Sequence, residues 1–334
     1  MFARFGPMAA LLILLVGANA EAAEPLKLRI GWAVVPGQLT ALIFAKPDLL
    51  AHYGKSYTAD LVRFRGSAPQ ITALAAGELD LAALAFSSFG LAIQNAGMSD
   101  LRVVGDLYQD GIDGYYANEY MVRADSGIEN LADLKGKVLA TNGLGGAVDM
   151  GLRKMLRDHG LEDRRDVRII EIQFPNMLAA LDEKKVDLVA LVTPFSRQAR
   201  EGGKTRTLFT MKDAMGETQT TLLAARAAFI AAHRAALVDF FEDWQRALRW
   251  FYDPAHRGEA LAVLAAVTKE PAGDFAEWVF TKEDYYRDPE GRPNLAALQH
   301  NLDLQKELGF LKIAIPVAQY ADLSLVDEAA RRGR

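Results

Sequence analysis

Ala73-Leu74-Ala75-Ala76-Gly77-Glu78-Leu79-Asp80-Leu81-Ala82-Ala83-Leu84 reads ALAAGELDLAAL, and 107 residues further on Ala180 to Leu191 reads ALDEKKVDLVAL. Each stretch closes a helix, turns, and enters a short apolar strand opened by an aspartate, Asp80 in one and Asp187 in the other. The same offset, within one residue, pairs Leu49, Ala51, His52 and Gly54 with Leu156, Asp158, His159 and Gly160. The matches fall in the same order in both halves. The chain therefore carries a diverged internal repeat of an α/β unit.

Working outward, each unit reads strand, loop, helix, strand, helix, Asp-strand. Leu26–Ala33 alternates like a strand, and Leu39–Tyr53 reads as a helix broken or bent at Pro47. Pro69–Ala76 and Ala147–His159 read as helices of the two units. Between the units lie two extended crossings, Gln109–Tyr116 (QDGIDGYY) and Glu217–Ala224 (ETQTTLLA). Beyond the second crossing the chain is nearly all helix, with apolar stripes over Ala227–Tyr252, Gly258–Thr268, Asp274–Phe280 and Leu295–Leu308. The last four residues, Arg331-Arg332-Gly333-Arg334, read as a frayed tail. Two crossings imply an α/β chain of two lobes, one discontinuous. The expected division is 24–112 for the first part of lobe one, 113–218 for an inserted lobe two, and 219–334 for the return strand and helical tail. Such a hinge permits closure around a ligand, held where the strand ends of both sheets face each other.

The N-terminus reads as an address. Arg4 precedes an unbroken apolar run, Met8 to Val16, and Ala18-Asn19-Ala20 follows as a small-x-small pattern, with Ala20-Glu21-Ala22 as a second option. Residues 1–20 are thus expected to be a signal peptide, cleaved within 20–23. The run is about half the ~20 residues a membrane span needs. Composition agrees with an exported globular protein: of 334 residues, 51% are hydrophobic and 24% charged, and the net charge of −5 supplies no basic field for nucleic acid. The absence of cysteine excludes disulfides, thiolate chemistry, iron–sulfur clusters and an N-terminal lipid anchor.

Four strand-to-helix junctions concentrate Ser, Thr, Asn and Gly. Ser67 with Gln70 forms a capping-box pattern ahead of Pro69. Either it only caps a helix, or the helix start also offers amides to an anion. Phe86-Ser87-Ser88-Phe89 follows the Asp80 strand and has the same two readings. Thr141-Asn142-Gly143-Leu144-Gly145-Gly146-Ala147 lacks the GxGxxG and P-loop patterns and is expected to let backbone amides approach a small anionic group. Thr193-Pro194-Phe195-Ser196-Arg197 occupies the repeat position of Phe86-Ser87. Trp32 ends the first strand, as core or as an apolar wall for a ligand. Tyr115, Tyr116 and Gln219 lie in the crossings, either lining a cleft floor or serving as linker. Arg65 and Arg197 are the nearest charges. The five histidines, His52, His159, His233, His256 and His300, show no metal-ligand spacing, and no catalytic motif is present. Neither a metal site nor a cofactor is expected.

Several stretches carry a resemblance: Leu28-Arg29-Ile30-Gly31-Trp32, Ala73 through Leu81, Val122 through Ile128 with Leu131 through Lys137, and Asp284 through Pro289 with Leu308-Gly309-Phe310-Leu311. Over essentially the whole mature length, the chain resembles the periplasmic substrate-binding proteins of ABC importers in the nitrate, sulfonate and taurine group. Thiamine-precursor binding proteins share their fold. The resemblance implies a type II two-lobed fold with a helical tail packed on lobe one. It implies a periplasmic, monomeric protein that captures a small organic anion and delivers it to a permease and its ATPase. Family sites use the strand-end loops, which here correspond to Trp32, Ser67, Ser87, Asn142, Gly143, Gly145 and Thr193, with Tyr116, Phe195 and Gln219 as further candidates. The alternatives are a thiamine-pyrimidine precursor as ligand and, with less support, an exported α/β enzyme.

Overall fold

The computed structural model describes residues 24–333. The proposed signal segment lies outside the described residues. Ten strands and eleven α-helices alternate along the chain. They are β1 Leu26–Trp32, α1 Thr40–Phe44, β2 Tyr57–Arg63, α2 Ser67–Ala75, β3 Ala82–Ala85, α3 Phe86–Asn95, β4 Leu101–Asp110, β5 Glu119–Arg123, β6 Val138–Thr141, α4 Ala147–Asp158, β7 Arg168–Glu171, α5 Phe174–Asp182, β8 Leu188–Leu191, α6 Phe195–Glu201, β9 Thr205–Thr210, α7 Met211–Met215, β10 Thr218–Arg226, α8 Ala227–Tyr252, α9 Arg257–Thr268, α10 Leu295–Glu307 and α11 Ser324–Arg332.

The repeat reappears as topology. In one lobe β2 pairs β1 in parallel, and β10 sits antiparallel between β3 and β4. A bridge from Ile30 to Leu81 stitches β1 to the residues before β3, so the order reads β2-β1-β3-β10-β4. The other lobe has the order β7-β6-β8-β5-β9, again three parallel strands, then an antiparallel one, then an edge. In each sheet the antiparallel strand is the one that arrives across the hinge. The two crossings run side by side, since Asp110 faces Thr218 in the β4–β10 register. The molecule is thus a two-lobed α/β fold of the periplasmic binding protein type II kind, its lobes joined by two crossings.

The repeated aspartates have the same task in both lobes. Asp80 accepts from the Arg29 amide (2.8 Å) and donates its own amide to the Arg29 carbonyl (2.9 Å). Asp187 does likewise with Val138, at 3.0 and 2.7 Å. Each Asp braces the neighbouring parallel strand near its start, where a ladder pair would otherwise be missing. In lobe one the brace is an ion pair as well, since the Arg29 guanidinium reaches both Asp80 oxygens. The preceding turn also repeats: Gly77 (φ +72°) and its counterpart Lys184 (φ +58°) both take left-handed backbone. Glycine does so freely and lysine at a cost.

The helical tail packs on lobe one through α8, whose Leu237, Phe240, Phe241 and Trp244 are buried beneath β1, β2 and β4. Asp243 of α8 accepts from the amides of Ala51 and His52 and from the Tyr57 hydroxyl, pinning the loop before β2. Three expectations need correction. The Leu39–Tyr53 helix is broken rather than bent, since Pro47 cannot donate a helical hydrogen bond, and it is shorter than expected: α1 is followed by a 3-10 turn at Pro47–Leu49, where helical structure ends. Asp274–Phe280 is a chain of turns after a 3-10 turn at Ala272–Asp274 rather than an α-helix. The C-terminus through Arg332 is not frayed. It forms α11, with Leu325, Val326, Ala329 and Ala330 buried and Arg332 paired to Asp239 and Glu328. Among the described residues no helix is long and apolar enough to cross a membrane.

Candidate functional site

Strands β1, β2 and β3 end at Trp32, Arg63 and Ala85, and β6, β7 and β8 end at Thr141, Glu171 and Leu191. The loops that follow form the two facing edges where ligands collect in open α/β sheets. Trp32 is half-buried, and the Arg63 guanidinium lies 5.4 Å above its ring centroid. Arg63 and Arg65 are exposed, and neither has a carboxylate partner among the described residues. Arg63 was not singled out from sequence. The signal was present, because parallel pairing of the first two strands places it opposite Trp32.

Ser67 and Gln70 do not form the expected capping box. The N-cap of α2 is Gly66, with no side-chain cap. Ser67 Oγ instead accepts from the Ala85 amide (3.0 Å), and Gln70 Oε1 from the Ala83 amide (2.8 Å). On its β1 side β3 has no full ladder, so its buried amides need these side chains as partners. Ser67 is thereby held against the start of α3, which opens at Phe86 after an uncapped Ala85. Ser87, in the first turn of α3, is buried, and its carbonyl accepts from Gln305 of α10. Phe86 and Phe89 are fully buried in the core, whereas Trp32 is half-buried at the edge.

On lobe two the loop of Asn142, Gly143 and Gly145 precedes α4. Its amides are partly taken: Leu144 N donates to Glu171 (2.7 Å) and Gly145 N to Asp149 (2.7 Å). An internal carboxylate, Asp149, thus occupies the anion position at the start of α4. It is fully buried and paired with Arg153 at 2.8 Å, yet burial still pushes its carboxyl above the usual range. The amides of Leu144 and Gly145 are thus engaged within the lobe. Thr193 and Phe195 are half-buried, and Phe195 stacks with Phe174 at 6.2 Å between centroids.

The crossings join the two edges. Tyr116 is buried, with its hydroxyl 2.6 Å from Ser196 Oγ at the start of α6. Burial raises its phenol well above the ordinary value. Asn118 donates its amide to Asp110 and accepts from the Tyr285 hydroxyl (2.6 Å), tying the first crossing to the tail. Gln219 faces away from the cleft. It is fully buried, and its side chain contacts Asp106 (2.7 Å), the Thr221 carbonyl and the Asn294 amide (2.6 Å). That leaves it fastening α10 to β10. Arg197 is engaged by Glu201 and by Glu277 of the tail, which spends its charge across the lobes.

Asp106 and Asp110 lie four residues apart on β4 at the hinge. Burial pushes both carboxyls up to about 7. Asp110 Oδ1 has no hydrogen-bond partner among the described residues. The histidines sit away from the edges. His159 bonds the Met155 carbonyl, His233 packs on Phe229, and His256 stacks on Trp250. His52 lies beside Asp239 and Glu242, a trio with metal-ligand geometry that sequence spacing could not show. Both carboxylates are already matched, to Arg332 and Arg246, which fits a charge clasp between the His52 loop and α8.

A model described as the NMT1-like family matches residues 21–265. No curated protein matches the sequence. Among solved structures, the periplasmic aliphatic sulphonate binding protein SsuA of Escherichia coli is 24% identical, with a TM-score of 0.68, covering 89% of this chain and 92% of that one. The periplasmic nitrate-binding protein NrtA of Synechocystis PCC 6803 is 14% identical, with a TM-score of 0.70 and coverage of 92% and 89%. The desulfurization enzyme DSZB is 15% identical, with a TM-score of 0.65 and coverage of 92% and 100%.

Proposed function

Because the chain belongs to the NMT1-like family, we propose that it is the solute-binding component of an ABC importer, capturing a small organic anion between its lobes. The observation that carries this reading is the Arg63 guanidinium over the half-buried Trp32 ring, with exposed Arg65 two residues on and neither arginine having a carboxylate partner among the described residues. A cation over an indole at a strand-end edge offers charge and an apolar wall to one ligand. Across the cleft, Phe195 and Phe174 supply a second apolar face and Thr193 a hydroxyl. Sulfonates, taurine and aromatic carboxylates have that combination of oxyanion and apolar body. A thiamine-pyrimidine precursor is less well served, since its aminopyrimidine ring brings no anionic group to the two arginines.

The ligand set is accordingly Trp32, Ser67, Asn142, Gly143, Thr193 and Phe195, extended by Arg63 and Arg65; Ser87, buried beneath α10, and Gly145, whose amide is held by Asp149, drop out. Tyr116 and Gln219 act on the frame instead. The lobes divide as 24–112 and 219–334 against 113–218, so that closure bends both crossings together. The protein works in the periplasm as a monomer, after loss of residues 1–20, and hands its ligand to a permease powered by an ATPase. Binding rather than turnover fits the edges. The neighbour DSZB shows that this fold also hosts an enzyme, but here Ser87 is buried beneath α10 and the histidines are engaged elsewhere. The test is a thermal-shift panel of alkanesulfonates, taurine, benzoate, nitrate and thiamine precursors. A ligand at 100 times its Kd adds about 2.7 kcal/mol. A melt raised by cationic or uncharged compounds alone would reject the anion reading.

A further inference from the structure

A second cavity, of about 490 Å³, lies behind the first crossing, and none of the strand-end loops contributes to its lining. Its size falls in the range of small-molecule sites. Four aromatic rings build it as two edge-on pairs: Tyr115 with Tyr286 at 5.0 Å and Tyr252 with Phe280 at 5.6 Å between centroids. Such walls accept a planar ring. The floor is Arg287, whose side chain is 2% exposed. It is locked by the Tyr252 hydroxyl (2.6 Å), Asp284 (3.0 Å) and the carbonyls of Pro36 and Gly37, while its Nε has no partner.

The rim adds charge. Arg249 and Lys282 line the cavity, are exposed, and have no carboxylate partner among the described residues. Asp288, the acidic group of the lining, is turned to the amides of Glu290 and Arg292. Aromatic walls with an uncompensated cationic rim select a planar ring bearing an acidic group. We propose that this cavity is a second ligand site, separate from the interlobe cleft, for an aromatic carboxylate or sulfonate. Tyr115 belongs to the first crossing, so an occupant bears directly on the segment that lobe motion bends.

The test titrates full-length mature protein with naphthalene-2-sulfonate by calorimetry, in wild type, in the Arg249→Glu/Lys282→Glu double variant and in Trp32→Ala. Both rim residues are exposed, so folding is checked by an unchanged melt, and Tyr115→Ser serves as a second variant. The expected result is a binding event that persists in Trp32→Ala, where the cleft wall is removed, and that is weakened at least tenfold by the rim reversal and by Tyr115→Ser. The proposal fails if the rim reversal leaves affinity unchanged, if Trp32→Ala abolishes binding, or if wild type shows no binding at millimolar probe. Because the cleft reading is tested through Trp32 and this one through the rim, the two can fail separately.

Discussion

Replacing Asp110 by Asn tests how the hinge is assembled. Its carboxyl is fully buried, accepts one hydrogen bond from the Asn118 amide (3.0 Å), and leaves Oδ1 without a partner. Burial pushes its pKa up to about 7, against about 4 in an unfolded chain. Between those values the folded state binds more protons than the unfolded one, so the group favours folding fully below pH 4. That contribution is lost as pH rises through 7. Worked through the linkage relation, this one group lowers stability by about 2–3 kcal/mol between pH 5 and pH 8. Asparagine keeps the acceptor for Asn118 and cannot ionise. Urea denaturation of wild type and Asp110→Asn at both pH values should therefore show the fall in stability reduced by about 2–3 kcal/mol in the variant. Asp106, raised to a similar value, accounts for a second fall that persists. An identical fall in both proteins would mean that Asp110 is hydrated or differently paired, and the reasoning about the dry hinge would be refuted.

Asp80→Ala removes the brace on β1 together with the Arg29 ion pair, and should cost about 2–3 kcal/mol of stability in denaturant melts. Gln70→Ala strands the buried Ala83 amide and should cost about 1–3 kcal/mol, whereas a capping role at the helix start would show a smaller loss. Lys184→Gly relieves left-handed backbone at the repeat position of Gly77 and should raise stability by about 0.5 kcal/mol in the same melts. Arg197→Ala should leave solute affinity within twofold, since that guanidinium is already held by Glu201 and Glu277.

The two-lobed fold was legible because the repeat is written in turn and strand chemistry that acts locally. An Asp opening an apolar run after a left-handed residue serves the same brace in each lobe, so Asp80 and Asp187 marked equivalent strands before any contact was known. The helix α11 was legible too and was misread: Leu325, Val326, Ala329 and Ala330 have helical spacing, but the basic run that follows suggested fraying. The site was harder. Whether Ser67 caps its own helix or holds Ala85 depends on which side of β3 lacks a ladder, a fact of topology 18 residues away. The Gly loop looked open to anions because Glu171, 27 residues on, cannot be seen as its partner from sequence. Gln219 and Arg197 were drawn off by residues of the tail, at Asn294 and Glu277. Polar side chains at strand ends advertise a cleft, and long-range pairing decides which of them are left to use it.

The central claim is that the edge formed by Trp32, Arg63 and Arg65 binds an organic anion. Calorimetric titration of an alkanesulfonate and benzoate, each beside an amine of matched shape, into wild type and Arg63→Ala/Arg65→Ala tests it most directly. The account predicts saturable binding of at least one anion, no binding of its amine, and a loss of tenfold or more in the double variant. Binding of the amines, or anion affinity indifferent to both arginines, would contradict it.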